Sequence, residues 1–219
     1  HPGWGESLFI KDVFPDARLA IYCEYFYSSE GQDVGFDPES PNLDFARRYV
    51  LRLKNTANLL SLNDADLAYS PTTWQRSTYP SVYQEQIAVI HDGINTSQLA
   101  FRKNARIEIK DAQGMSKVRL KPGDEVLTYV ARNLEPVRGF HILMRALPKI
   151  LKNRPHAQVI IVGGNEISYG HQAPDGKTWK DSLLSELGDS IDTTRVHFVG
   201  RVPYNTYLDL LSISKVHIY

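Results

Sequence analysis

Two arginines stand where an apolar run gives way to a helix-like segment. Arg132 directly follows the run Val126–Ala131, and Arg138 precedes Gly139, after which apolar residues recur at helical spacing. The run predicts a strand, and the periodic segment predicts a helix whose first N–H groups are free and positively polarised. Two guanidinium groups beside such a helix start are suited to bind a doubly charged phosphate group. The alternative is that both arginines pair with carboxylates such as Glu135 or lie in solvent.

Other residues that could do chemistry have less favourable spacing. Asp64 and Asp66 form an Asp-x-Asp pair that could hold a divalent metal, but the simpler interpretation is that they cap a helix or face water. Gly163–Asn165 does not form the G-x-G-x-x-G fingerprint of dinucleotide-binding proteins. Metal-ligand spacing is absent from three histidines: His156, His171 and His197.

Length, charge and cysteine content narrow the class of protein. The 219 residues suit one large domain or two modest ones. Because 25 basic residues balance 25 acidic ones, nothing in the bulk charge favours nucleic acid, and any anion site must be local. Cys23 is the single cysteine, which predicts a buried thiol and a reducing, cytoplasmic compartment. The abrupt start at His1 and the strand-like end suggest a piece of a longer protein.

Strand and helix patterns alternate along the chain, beginning with the strand-like run "RLAIYCEYFY", and this alternation predicts an α/β fold with parallel sheets. The apolar residues of segment 43–64, among them Tyr49, Leu53 and Leu60, recur every three or four positions and predict an amphipathic helix. In segment 105–121, apolar and polar residues alternate on both sides of a central glycine, which predicts a hairpin between two α/β pieces. In such sheets ligands bind beyond the carboxyl ends of the strands, where Arg132 and Arg138 fall.

Four motifs occur in an order that resembles a known family. "ARNLEPVRGFHILMRALPKI" resembles the motif that opens the C-terminal domain of retaining GT-B glycosyltransferases of the family 4 type. "AQVIIVGG" and "RVHFVGRVPYNTYLDLLSISKVHIY" resemble the segments that follow it, and "IAVIHDGINTSQL" resembles the turn ending the N-terminal domain, with His91-Asp92 replacing the usual Pro-Asn. The resemblance implies two Rossmann-like parallel-sheet domains, each only partly present: 1–95 on the acceptor side, and 96–219 on the donor side with the hairpin.

The resemblance also implies roles for particular residues. Arg132 and Arg138, with Gly139, match the group that holds the donor's diphosphate and stabilises the leaving nucleoside diphosphate. His1 matches a histidine beside the donor sugar, the alternative being an exposed terminal histidine. The nucleobase and donor loop would be formed by four residues: Gly163, Gly164, Arg201 and Val202.

The implied activity is transfer of a sugar, with retained anomeric configuration, from a nucleotide-diphosphate donor to a carbohydrate or lipid-linked acceptor. No metal or other cofactor is expected, since arginines and a helix dipole would neutralise the diphosphate. Bacterial surface polysaccharide or lipopolysaccharide synthesis is the expected role, in the cytoplasm or peripherally at the inner face of the membrane. The family's sugar-gripping glutamates would follow Tyr219, so this stretch alone is expected to be inactive.

Two alternatives to this activity stay open. One is a non-catalytic nucleotide-sugar-binding module of the same fold. The other is a nucleotide-dependent sugar epimerase, which would bind NAD and is disfavoured by the missing glycine fingerprint.

Overall fold

The alternation of strands and helices produces two units in the computed structural model, His1–Ile94 and Asn95–Tyr219. The structure describes residues 1–32, 34–39, 44–110 and 114–219. Among these residues, every helix is too short or too polar to cross a lipid bilayer.

The described part of the first unit contains a three-stranded parallel sheet in the order β1-β2-β3. Its elements, in chain order, are α1 (Ile10–Val13), β1 (Ala20–Tyr22), α2 (Phe45–Asp64), β2 (Leu67–Ser70), α3 (Thr73–Ser77), α4 (Ser81–Gln84) and β3 (Ile87–Val89). A 3-10 turn at Pro2–Trp4 precedes them. Ile21, Ala68 and Ile87, one from each strand, lie in the core of this unit.

Strand β1 is shorter than its apolar run predicts. The Cys23 N–H still donates to the Tyr69 carbonyl oxygen of β2 at 2.7 Å, but beyond Cys23 the backbone leaves the ladder. Its polar groups then find other partners, such as Asn55, whose side chain bonds both the N–H and the C=O of Tyr27. Cys23 is fully buried and makes no disulfide, as predicted, and burial raises the pKa of its thiol to about 11. The prediction of a β-type run is therefore right in position but too long.

Helix α2 forms where its periodicity predicts, with the Asp44 carboxylate capping its start by accepting from the Arg47 N–H at 2.8 Å. The face it buries differs from the expectation. Asn55, Asn58, Ser61 and Leu62 point inward, whereas the apolar stripe that includes Leu53 is exposed. The irregular backbone after β1 explains the reversal, because its polar groups must be satisfied and the asparagine amides satisfy them.

The second unit contains a four-stranded parallel sheet in the order β8-β7-β6-β9, preceded by an antiparallel hairpin. The hairpin strands are β4 (Ile107–Lys110) and β5 (Ser116–Leu120). The elements that follow are β6 (Val126–Asn133), α5 (Phe140–Asn153), β7 (Gln158–Gly164), α6 (Trp179–Leu187), β8 (Val196–Gly200), α7 (Tyr204–Ile213) and β9 (Val216–Ile218). Two 3-10 turns interrupt them, at Pro136–Arg138 and Gly188–Ser190.

Both faces of this sheet are covered, as in doubly wound folds. Val159 and Ile161 of β7 pack against α5 and α6, whereas Ile160 and Val162 face the hairpin and α7. The predicted core face of α5 is confirmed, since Phe140, Leu143, Met144, Leu147 and Leu151 are buried against the sheet and Ile150 packs beside them. Packing on both faces holds the sheet in place, and because its strands are parallel, their carboxyl ends lie at one edge.

Candidate functional site

The two arginines of the opening motif lie at the carboxyl edge of the second unit's sheet. Arg132 lies inside the end of β6, one residue before its last, and Arg138 closes the 3-10 turn that follows. Gly139 has a φ of 72°, a left-handed conformation that favours glycine, and it leads into α5 without a side-chain cap. No side chain therefore caps the first N–H groups of α5. These N–H groups follow directly after the segment that carries the two arginines, so they can contribute to binding an anion.

Neither arginine is neutralised by the carboxylate between them. Glu135 is buried, and within the described parts of the chain it makes no ion pair with Arg132 or Arg138. Both guanidinium groups are exposed, and that of Arg132 has no hydrogen-bond or ion-pair partner in the same described parts. The two positive charges are therefore available to an anion.

A cavity of about 380 Å³ opens at this edge, within the size range of small-molecule sites. It brings together three residues predicted for the site, Arg132, Arg201 and Val202. Five further residues complete its lining: Val130, Ala131, Val162, Tyr204 and Tyr207. The two tyrosine rings lie 6.2 Å apart between centroids. Guanidinium groups and aromatic rings in the lining of one cavity suit a ligand that combines an anion with a flat ring.

The two glycines at the end of β7 are required by close packing. A Cβ on Gly163 would lie 2.9 Å from the Ala131 carbonyl oxygen and 2.8 Å from Leu134 Cδ2. A Cβ on Gly164 would lie 2.5 Å from both Asn133 Oδ1 and Glu166 Oε2. These glycines therefore let β6 and β7 end close together, directly after Val162, which lines the cavity.

Arg201 is held in place rather than left free. Its Nη2 donates to Glu166 Oε2 at 2.5 Å and to Asn133 Oδ1 at 3.0 Å. Asn133 is buried, so its amide fixes the guanidinium from the end of β6. Since Glu166 offsets the charge of Arg201, the uncompensated positive charge of the site resides on Arg132 and Arg138.

Arg138 is fixed through both its backbone and its side chain. The Tyr129 hydroxyl donates to the Arg138 carbonyl oxygen at 2.7 Å, and burial raises the pKa of that hydroxyl, so it remains a donor. The guanidinium carbon of Arg138 lies 5.4 Å from the centroid of the Tyr169 ring. Sequence reasoning missed Tyr169, because nothing in the sequence links this loop residue to the turn before α5.

His1 belongs to the first unit, at the carboxyl edge of that unit's sheet. Its Nε2 lies 2.5 Å from Glu24 Oε2, and its ring is 5.7 Å from that of Tyr22. Tyr22 in turn donates to both carboxylate oxygens of Asp92 at 3.1 Å. A polar cluster thus surrounds His1, and the role predicted for it stays a prediction.

The Asp-x-Asp pair is structural. Asp66 accepts from the Leu19 N–H at 2.7 Å and pairs with Lys11 at the same distance. The hydrogen bond from Lys11 is the main reason that the pKa of Asp66 is lowered. Asp64 accepts from the neighbouring Asn63 side chain. The two carboxylates are thus used locally, although Asp66 holds the chain before β1 and does not cap a helix.

Parallel sheets flanked by helices, with a cavity at the carboxyl edge, define a Rossmann-like α/β protein. Residues 1–99 match the family described as "Glycosyl transferase family 4 group", and residues 111–219 match "Glycosyl transferases group 1". The chain belongs to the GT-B glycosyltransferases of the group 1 type, as the sequence motifs predicted.

A curated relative supports the same family. The GDP-mannose-dependent alpha-(1-6)-phosphatidylinositol monomannoside mannosyltransferase of Mycolicibacterium smegmatis is 28% identical over 152 residues. The match covers 68% of this chain and 35% of that protein, so the chain spans about a third of the length of this relative.

Solved structures share the fold. An alpha,alpha-trehalose-phosphate synthase from Burkholderia vietnamiensis superposes with a TM-score of 0.58 at 12% identity, covering 95% of this chain and 46% of that one. The N-terminal domain of Candida albicans trehalose-6-phosphate phosphatase superposes with a TM-score of 0.58 at 13% identity, and the match covers 96% of this chain and 47% of that one. At these identities the likeness concerns the fold alone.

Proposed function

We propose that this chain forms part of an enzyme that transfers a sugar, with retained configuration, from a nucleotide-diphosphate donor to a carbohydrate or lipid-linked acceptor. The observation that carries the proposal is the pair of uncompensated guanidinium groups, Arg132 and Arg138, beside the uncapped start of α5. The mycobacterial relative is named for a GDP-mannose donor and a phosphatidylinositol monomannoside acceptor, which supports both substrate classes. A role in bacterial surface polysaccharide synthesis belongs to the same proposal.

The diphosphate would lie across the two arginines and the first N–H groups of α5. As the bond between the sugar and the diphosphate breaks, negative charge grows on the leaving diphosphate, and fixed donors aimed at it lower the barrier. The base would enter the cavity that Val202, Tyr204 and Tyr207 line. Positive charge from the protein would replace a metal ion in this arrangement, and His1 keeps the role beside the donor sugar that the family resemblance implies.

Calorimetric titration of the 219-residue chain with UDP, GDP, ADP and NAD tests the proposal. We expect one nucleoside diphosphate to bind and Arg132→Ala to weaken it by about 1.5–3 kcal/mol, the usual value of a charge-assisted contact. That loss corresponds to about 10- to 150-fold in affinity. Arg119→Ala is the matched control, because it removes one positive charge from the hairpin, where Arg119 pairs with Glu108.

Each outcome discriminates between candidates. Unchanged diphosphate affinity in Arg132→Ala would refute the site, and tight NAD binding would favour an epimerase. If the chain binds a nucleoside diphosphate but the full-length protein transfers no sugar, a non-catalytic nucleotide-sugar-binding module is favoured.

The full-length protein is also proposed to associate peripherally with the inner face of an anionic membrane, through α2. Phe45, Tyr49, Leu53 and Leu60 form an outward apolar stripe, each more than half exposed. Arg52 lies at its border, which complements anionic lipid headgroups.

Sedimentation with phosphatidylglycerol vesicles tests this association, with phosphatidylcholine vesicles as the control. We expect binding to the anionic vesicles alone and its loss in Leu53→Glu, which places a negative charge in the exposed stripe. Absence of binding to the anionic vesicles would refute this association.

A further inference from the structure

A buried carboxylate lies between the two arginines and is not used by the proposed chemistry. Glu135 is 0% exposed, and its Oε2 accepts the backbone N–H groups of Ser168, Tyr169 and Gly170 at 3.1, 3.3 and 3.0 Å. Among the described residues, nothing bonds to its other oxygen, Oε1. A buried charge is costly unless hydrogen bonds compensate it, so these three bonds hold the segment Ser168–Gly170, here called the clamp loop, firmly in place.

The clamp loop is held at a second point. Asn133 Nδ2 donates to Ser168 Oγ at 2.7 Å. The loop that follows β7 is therefore bonded both by Asn133, at the end of β6, and by Glu135, at the start of the turn after β6. Gly170 fits because a Cβ there would lie 3.1 Å from Glu135 Oε2. The backbone of the loop is therefore anchored at each of its three residues.

The anchored loop presents one side chain to the site. Tyr169 is 63% exposed, which is unusual for a ring that serves the core, and its face lies against the Arg138 guanidinium. An aromatic face restricts a guanidinium group while leaving its N–H groups free to donate to an anion. Glu135 thus reaches Arg138 indirectly, through the loop and the ring.

We propose that Glu135 is a positioning residue for donor binding: it holds the clamp loop so that Tyr169 orients the Arg138 guanidinium toward a nucleoside diphosphate. The inference rests on the proposed function in one respect, that Arg138 contacts the diphosphate. A carboxylate is needed rather than an amide, because a glutamine Nε2 would have to occupy the Oε1 position, where no acceptor stands, or oppose the three loop N–H groups.

Two measurements without ligand test the positioning itself, comparing Glu135→Gln with the unchanged chain. We expect amide hydrogens of Ser168–Gly170 to exchange at least about tenfold faster, since they lose a charged acceptor. We also expect the Arg138 Nε–Hε resonance to lose the ring-current shift caused by Tyr169. If both signals stay unchanged, the proposal is wrong whatever the chain binds.

Nucleoside diphosphate titration then separates positioning from a purely structural role. Glu135→Gln should weaken diphosphate binding by at most the two- to fivefold that loss of the Tyr169 ring costs, and should leave it unchanged in an Arg138→Ala background, because both substitutions act through one guanidinium group. Glu125→Gln is the matched control, removing a carboxylate that pairs with Arg154 away from the loop. Full diphosphate affinity in Glu135→Gln, despite faster exchange, would reduce Glu135 to a structural residue and overturn the proposal.

Variants of Tyr169 keep the test valid if Glu135→Gln fails to fold, because this exposed ring is not part of the core. Tyr169→Phe should retain diphosphate affinity, and Tyr169→Leu should lose about two- to fivefold, as expected for an exposed cation–π contact. Equal affinity of the two variants would overturn the proposal. If the unchanged chain binds no diphosphate, the proposed function fails, and the two measurements without ligand alone judge the positioning.

Discussion

Gly163→Ala tests how tightly the ends of β6 and β7 are packed together. The added methyl group would lie 2.9 Å from the Ala131 carbonyl oxygen and 2.8 Å from Leu134 Cδ2, about half an ångström too close. Ala131 is in a strand, and Leu134 is 3% exposed within the core, so neither can withdraw freely. Overpacking of this kind destabilises by about 1–3 kcal/mol, and we expect a value in that range.

Urea unfolding of the chain measures this loss, with the midpoint shifted and the slope unchanged. Leu134→Ala should cost about 2–5 kcal/mol alone, but the double variant should be more stable than the sum predicts, because the new methyl group fills part of the cavity. A change below about 0.5 kcal/mol in Gly163→Ala would refute the reasoning, since it would mean that the strand ends are loosely packed. Strict additivity in the double variant would mean that the new methyl group clashes with the Ala131 carbonyl oxygen alone and not with Leu134.

Three further predictions concern the core and its titrating groups. Leu147→Ala, at a fully buried position of α5, should destabilise by about 2–5 kcal/mol, whereas Ile142→Ala on the exposed face of the same helix should stay within about 0.5 kcal/mol in urea unfolding. Burial, with a smaller contribution from Lys117, lowers the pKa of His197 below its unfolded value near 6.5, so its contribution to stability is present above that pH and is lost as the pH falls below it. Unfolding free energies of the unchanged chain and His197→Gln from pH 7.5 to 5 should therefore differ in slope; parallel curves would contradict this. The Cys23 thiol, with a pKa of about 11, should react with a disulfide reagent at pH 8 more than about 100-fold slower than in the urea-unfolded chain.

Much of the second unit follows from local sequence. The spacing of Phe140, Leu143 and Leu147 fixes the buried face of α5, because a helix presents every third and fourth residue to one side. The position of Arg132 at the end of an apolar strand places it at the carboxyl edge, because parallel strands all end there. These inferences need only the periodicity of one element and a general rule of sheet topology.

The buried face of α2 could not be predicted in the same way. Its strongest apolar stripe, which includes Tyr49 and Leu53, is exposed, while Asn55 and Asn58 face inward. The reason is a neighbour distant in sequence, the irregular backbone at Tyr25 and Tyr27, whose carbonyl groups those amides satisfy. A pattern within one helix carries no information about such a neighbour.

The same distinction between local sequence and tertiary contacts applies to the residues of the site. The sequence by itself determined the strand, the two arginines and the glycines that could approach a phosphate, since these depend on local spacing and on the chemistry of single residues. Only the tertiary structure decided that Glu135 binds loop N–H groups rather than an arginine, and that Tyr169 covers Arg138. Those contacts join residues more than 30 positions apart, and their geometry exists only after β6 and β7 have paired.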